Sequence, residues 1–212
     1  MKKLGALLIC LFIANSVLGQ DAAKAKQLLD DVSKKVKSYD NISLDFKYVL
    51  NNTEEDIKQE TTGNVVLQGE KYLLNFMGIT KLFDLKKEYT IVPENEEITI
   101  AEPEDSEAGV ITPSKMLTFY EDGYNYSWDI VQNIKGRKIQ FIKLTPMDSS
   151  AEISQILLGI DVQTKHIYSL IQSDGSSTTT TFTVNSFKTN RPLSKSLFTF
   201  DPSKYKDYYI NN

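Results

Sequence analysis

From Ile42 onward the apolar residues of this 212-residue chain return at every second position, and that rhythm limits the fold more than any other feature. Leu44, Phe46, Tyr48 and Leu50 alternate with Asp45, Lys47 and Val49, as a half-buried strand requires. Further strands read over 61–68, 71–76, 81–85, 89–92, 97–101, 124–131, 138–144, 153–162, 166–172, 178–187 and 197–200. The joints at Gln68-Gly69-Glu70, Lys135-Gly136, Asp161 to Lys165 and Asp174-Gly175-Ser176 are short, and their Gly and Asp residues tolerate the backbone angles of hairpin turns. A parallel βαβ sheet needs helix-length crossovers between its strands, so the expected arrangement is one antiparallel meander.

Two stretches break the rhythm. At the amino end Lys2 and Lys3 precede the apolar run Leu4 to Val17, and Val17 and Gly19 offer small residues where a signal peptidase reads. The expected organisation is a cleaved signal peptide over 1–19 and a single domain over 20–212. The apolar run falls short of the roughly 20 residues that span a membrane. The only cysteine, Cys10, lies inside that signal, so the mature chain has no thiol. Asp21 then caps an expected helix in which Leu28, Leu29, Val32, Val36 and Tyr39 share one stripe. The second break runs from Glu102 to Gly123. An acidic loop (Glu102, Glu104, Asp105, Glu107) leads into Thr112-Pro113, a helix start, and the cluster Met116, Leu117, Phe119, Tyr120 before Gly123. A short apolar helix inserted in a sheet protein needs apolar surface to cover, so it reads as a lid over the concave side.

The residue inventory argues against an enzyme. The one histidine, His166, reads as a surface turn residue, and no serine stands in a nucleophile-elbow sequence. One His without a mature Cys cannot build a zinc site, so no metal and no cofactor is expected. The acidic cluster at 94–107 (Glu94, Glu96, Glu97 and the loop above) reads as solvated, because general acid–base work needs a desolvated carboxylate and the calcium-loop spacing is absent. A net charge of -4 with scattered Lys and Arg offers no stripe for nucleic acid.

Apolar surface is what the chain has in quantity. Leu44, Phe46, Tyr48, Tyr72, Leu74, Phe76, Phe83, Leu85, Trp128, Ile130, Phe141, Leu144, Leu170 and Phe182 stand at alternating positions of successive strands. One long sheet with few helices must pair with a second sheet, close on itself or leave an apolar concavity; an open concavity under a lid is a ligand site. On that reading those side chains, with Met116, Leu117 and Phe119 of the lid, line a lipid site.

The pattern resembles the outer-membrane lipoprotein carriers of the LolA type and related periplasmic lipid-binding domains. The resemblance rests on the opening helix with Leu28, Leu29 and Val32, the strand Leu44-Asp45-Phe46, and the run from Lys81-Leu82-Phe83-Asp84-Leu85 through Tyr89-Thr90-Ile91-Val92. It rests also on Thr112-Pro113 with Met116-Leu117 and on the closing Leu197-Phe198-Thr199-Phe200-Asp201-Pro202. It implies a mainly β fold: a single curved antiparallel sheet forming an unclosed half-barrel, with an N-terminal helix and a lid helix over its concave face. It also implies a monomeric, non-enzymatic periplasmic carrier of acylated lipoproteins, served by an inner-membrane release complex and an outer-membrane acceptor. Where the family's better-known members carry a lid-latching arginine, alignment on Tyr72 places Gln68, expected to bond the lid near Thr112 to Leu117. Two other functions fit the same shape: carriage of another lipid or pigment acyl chain, and a lipid-sensing or regulatory interaction domain.

Overall fold

The computed structural model describes residues 2–102 and 112–211, with side chains from residue 20 onward. Glu104, Asp105 and Glu107 of the acidic loop, and the side chains of the expected signal including Cys10, lie outside the described residues.

Twelve strands form one open sheet. They are β1 (Ile42–Asn52), β2 (Ile57–Gln68), β3 (Lys71–Phe76), β4 (Ile79–Phe83), β5 (Glu88–Val92), β6 (Glu97–Ala101), β7 (Tyr124–Ile134), β8 (Arg137–Pro146), β9 (Gln155–Asp161), β10 (Ile167–Ser173), β11 (Thr178–Thr189) and β12 (Tyr209–Asn211). Across the sheet they run β12-β6-β5-β4-β3-β2-β1-β11-β10-β9-β8-β7. β1 joins two hairpin meanders by pairing with β11, and the two ends never meet, so the sheet is an unclosed half-barrel. Hairpin turns fall where expected, with positive φ at Gly69, Lys135-Gly136 and Gly175. At the β9–β10 joint the Asp161 carboxylate accepts the backbone N–H groups of Gln163 (2.9 Å) and Thr164 (3.1 Å).

The helix α1 (Lys2–Lys37) is continuous through Asp21, which therefore caps nothing. Ala25, Leu28, Leu29 and Val32 recur at three- and four-residue steps, and all are buried. They share one core with Ile142 and Leu144 of β8 and Ile156, Leu158 and Ile160 of β9, so α1 fills the concave face over that half of the sheet.

The expectations for two strands and for the lid need correction. Residues 197–200 form no strand: after Thr189 the chain crosses the opposite face of the sheet, with Phe198 buried and Phe200 stacked on Tyr89 at 4.4 Å. It finishes as β12, which pairs with β6 in parallel, so the sheet is antiparallel except at that edge. β4 ends at Phe83; Leu85 has φ 84° and is half exposed in a turn where the Asp84 carboxylate accepts the N–H groups of Lys86 (2.8 Å) and Lys87 (2.9 Å). The lid is not an α-helix. Its bonds run from Lys115 N–H to Thr112 O, Met116 to Pro113, Thr118 to Lys115 and Glu121 to Thr118, each spanning three residues, and it ends in a 3₁₀ turn at Phe119–Glu121.

Candidate functional site

The tighter winding of the lid decides what it presents. With three residues per turn, side chains three apart eclipse one another, so Pro113, Met116 and Phe119 form one row. All three face the concave side of the sheet and roof a cavity of about 440 Å³. Leu117 also touches the cavity, while Tyr120, three residues on, joins the core shared with α1.

The floor comes from four strands. β1 supplies Leu44 and Phe46, β3 Leu74 and Phe76, β10 Ile167, Leu170 and Gln172, and β11 Phe182 and Val184. Phe46 sits between Phe76 (ring centroids 5.5 Å apart) and Phe182 (5.9 Å). That packing needs Gly63, which stands opposite both Phe46 and Phe76: a Cβ there would lie 2.5 Å from Phe46 Cζ. Val184 stands opposite Phe46 on the same face as Phe182, and a bulge in β11 at Asn185 then sets Ser186 opposite Asp45.

Of the sequence-selected residues the cavity gathers Leu44, Phe46, Leu74, Phe76, Met116, Leu117, Phe119, Leu170 and Phe182. The structure places the others elsewhere. Tyr48 flanks it, its ring 5.4 Å from Phe76 and 4.9 Å from Phe182. Tyr72 is buried beside Phe83 and donates to the Glu88 carboxylate, which also accepts from Lys81 at 3.0 Å; burial is the first cause holding its hydroxyl pKa well above the ordinary tyrosine value. Phe141 is buried on the other face beside Gly159, and Leu144 lies under α1. Leu85 points into solvent from its turn, and Trp128 and Ile130 are exposed on β7. At Ile130 the cause is a bulge: three steps along β7, from Trp128 to Val131, face two along β8, and the buried Gln140 side chain donates to the freed carbonyls of Asp129 (2.7 Å) and Ile130 (3.3 Å). Pro113, Ile167, Gln172 and Val184 line the cavity without having been selected; the three-residue row in the lid would have found Pro113.

The lid is held from α1 and from β7, not from Gln68. Gln68 is exposed and makes no hydrogen bond to Thr112–Leu117. Instead Glu121 accepts from Lys37 (2.6 Å) and from the Ser33 hydroxyl, and the Tyr126 hydroxyl donates to the carbonyls of Tyr120 (2.7 Å) and Glu121 (3.1 Å). The hydrogen bond from Lys37, with that from Ser33, holds the Glu121 carboxyl below its ordinary pKa. His166 is no surface turn residue either. It is half-buried, stacked on Phe187 at 3.9 Å, with the Tyr39 hydroxyl 2.8 Å from Nε2, and burial lowers its pKa. It ties the segment just after α1 to the sheet.

Residues 82–201, which run from β4 through the lid to the segment beyond β11, match the family model described as outer membrane lipoprotein carrier protein LolA. The chain belongs to that family. Among solved structures, an uncharacterized conserved protein from Thermus thermophilus is 11% identical, covering 88% of this chain and 98% of its own, with a TM-score of 0.56. LprF from Mycobacterium bovis is 14% identical over 82% of this chain and 96% of its own, with a TM-score of 0.48. A putative outer membrane lipoprotein-sorting protein domain from Vibrio parahaemolyticus is 10% identical over 87% and 99%, with a TM-score of 0.46. No curated protein matches the chain. LolA-type membership makes this a lipid-binding, carrier-type fold.

Proposed function

We propose that the protein is a periplasmic carrier that takes the acyl chains of lipoproteins, or of similar lipids, into the cavity and shields them between the inner and outer membranes. The observation that carries this reading is the apolar cavity of about 440 Å³ under the Pro113–Met116–Phe119 row. Ligand cavities run to roughly 300–1,000 Å³, so this one has room for a small-molecule lipid segment. The need for such a carrier is physical: each methylene exposed to water costs about 0.8 kcal/mol, which keeps an acylated anchor from crossing an aqueous space alone. Carriage also demands release. The lid meets α1 through Glu121, Lys37 and Ser33, with Lys37 largely exposed, and contacts of that kind are weak enough to open and reclose.

Mass spectrometry of molecules copurifying with the protein from periplasm tests the reading. Acylated peptides or lipids should appear at stoichiometric level and vanish from a Leu74→Glu variant that still folds. A protein that copurifies with no acyl compound, and binds none when offered, is not a carrier.

A further inference from the structure

The cavity wall is apolar at every described position but one. Gln172 enters from β10, two residues beyond Leu170, with Thr180 of β11 and Ile156 of β9 on either side. The Thr180 hydroxyl donates to its Oε1 at 3.3 Å, which leaves the amide nitrogen available to another acceptor. Among the described residues that nitrogen has no hydrogen-bond partner. A neutral donor at the edge of an oily cavity favours a ligand that brings an acceptor to the same place, because a polar group taken out of water needs a partner.

The charges nearby narrow the ligand further. None of the described residues lining the cavity is ionisable. On the same face of the sheet Lys81 is paired directly across from Leu74, and it is already bound to Glu88 at 3.0 Å. Glu88 in turn accepts from Tyr72, so this charge is committed within the protein. A carboxylate drawn into the cavity would lose hydration and meet no cation among the described lining residues, whereas an ester carbonyl loses less and matches one amide donor.

We propose that Gln172 reads the carbonyl of an acyl ester, so that the cavity selects neutral ester-linked acyl chains over free fatty-acid anions. This rests on the carrier reading above and names the chemical class of its cargo. Gln172 supplies the one directional contact in a site otherwise held together by apolar burial. The head of the ligand therefore lies at the β10–β11 end, with the acyl chain running toward Phe46 and Leu74.

Displacement of the neutral fluorophore N-phenyl-1-naphthylamine tests it with three competitors. These are 1-monopalmitoylglycerol, which has the ester carbonyl; 1-O-hexadecylglycerol, the ether without it; and palmitate, the anion. The ester should compete about two- to tenfold better than the ether, the worth of one neutral hydrogen bond, and better than palmitate. Gln172→Leu should bring ester and ether together while leaving the ether's own affinity in place. Equal competition by ester and ether in the unmodified protein overturns the assignment without any variant, and so does palmitate matching the ester. An ester preference that survives Gln172→Leu assigns the carbonyl contact to another group and overturns it as well. If none of the three displaces the fluorophore, the carrier reading itself falls.

Discussion

Replacing Gly63 by alanine puts the packing beneath the cavity to a direct test. The added Cβ would stand 2.5 Å from Cζ and 2.9 Å from Cε2 of Phe46, and 2.9 Å from the backbone carbonyl oxygen of Asn75. Neither obstacle gives way easily: the Phe46 ring is wedged between Phe76 and Phe182, and Asn75 is held in the β2–β3 ladder. Overpacking of a filled site of this kind costs about 1–3 kcal/mol. In a chain of this size each kcal/mol is worth about 2–4 °C, so thermal unfolding should fall by roughly 2–12 °C. Phe46 lines the cavity, so a displaced ring should intrude on it and weaken binding of N-phenyl-1-naphthylamine in the same variant. Gly159→Ala is the matched control on the other face, where the new Cβ meets Ser169 Oγ at 2.7 Å and Phe141 Cε1 at 3.0 Å. It should lower stability and leave probe binding unchanged. A Gly63→Ala protein as stable as its parent, binding the probe equally well, would refute the packing described here.

Further outcomes follow from the same geometry. Leu74→Glu places a carboxylate in the apolar floor and should weaken acyl-probe binding by at least about tenfold, while Ile130→Glu on the exposed β7 bulge should leave it unchanged; competitive titration of both variants reads the contrast. Glu121 has a lowered pKa, so its contribution is complete above the ordinary value of 4.5 and is lost as pH falls through the lowered value. Its partner Lys37 is 60% exposed, so that contribution is about 0.2–1 kcal/mol, and urea unfolding of Glu121→Gln should lose this part of the acid sensitivity. His166, depressed by burial, should titrate below 6.5 by NMR; the stability it lends is present above 6.5 and lost as pH falls through its own value, and a titration at or above 6.5 would mean that the ring is not packed against Phe187.

Alternation in the sequence reports which side chains are covered, not which backbones are paired, and the successes and failures divide along that line. The strands from Ile42 to Phe187 were legible because their alternating residues are buried in the sheet that the rhythm implies. Residues 197–200 carry the same rhythm, yet Phe198 and Phe200 are covered by lying against the sheet face, with their backbone outside the ladder. Leu85 continued the alternation past a turn set by the Asp84 carboxylate. Ile130 was misassigned because the β7 bulge, fixed by the buried Gln140, resets which side each residue faces. Nine cavity residues were readable from strand and lid patterns, and Val184 continues the alternation of Phe182; Ile167 borders a bulge in β10 that no local pattern reveals. The lid was recognisable by its apolar cluster, but its contact with α1 joins Glu121 to Ser33 and Lys37 across more than 80 positions, a pairing fixed only by the tertiary fold.

An acyl chain carried by this protein should lie between the lid and the floor formed by β1, β3, β10 and β11. Photolysis of a palmitoyl ester carrying a diazirine along its chain, followed by mass spectrometric mapping of the labelled residues, locates the chain directly. Labels should concentrate on Leu74, Phe76, Phe119, Leu170 and Phe182. Labels confined to the exposed β7 edge at Trp128 and Ile130, or to the opposite face near Phe141, would mean that the chain is bound outside the cavity.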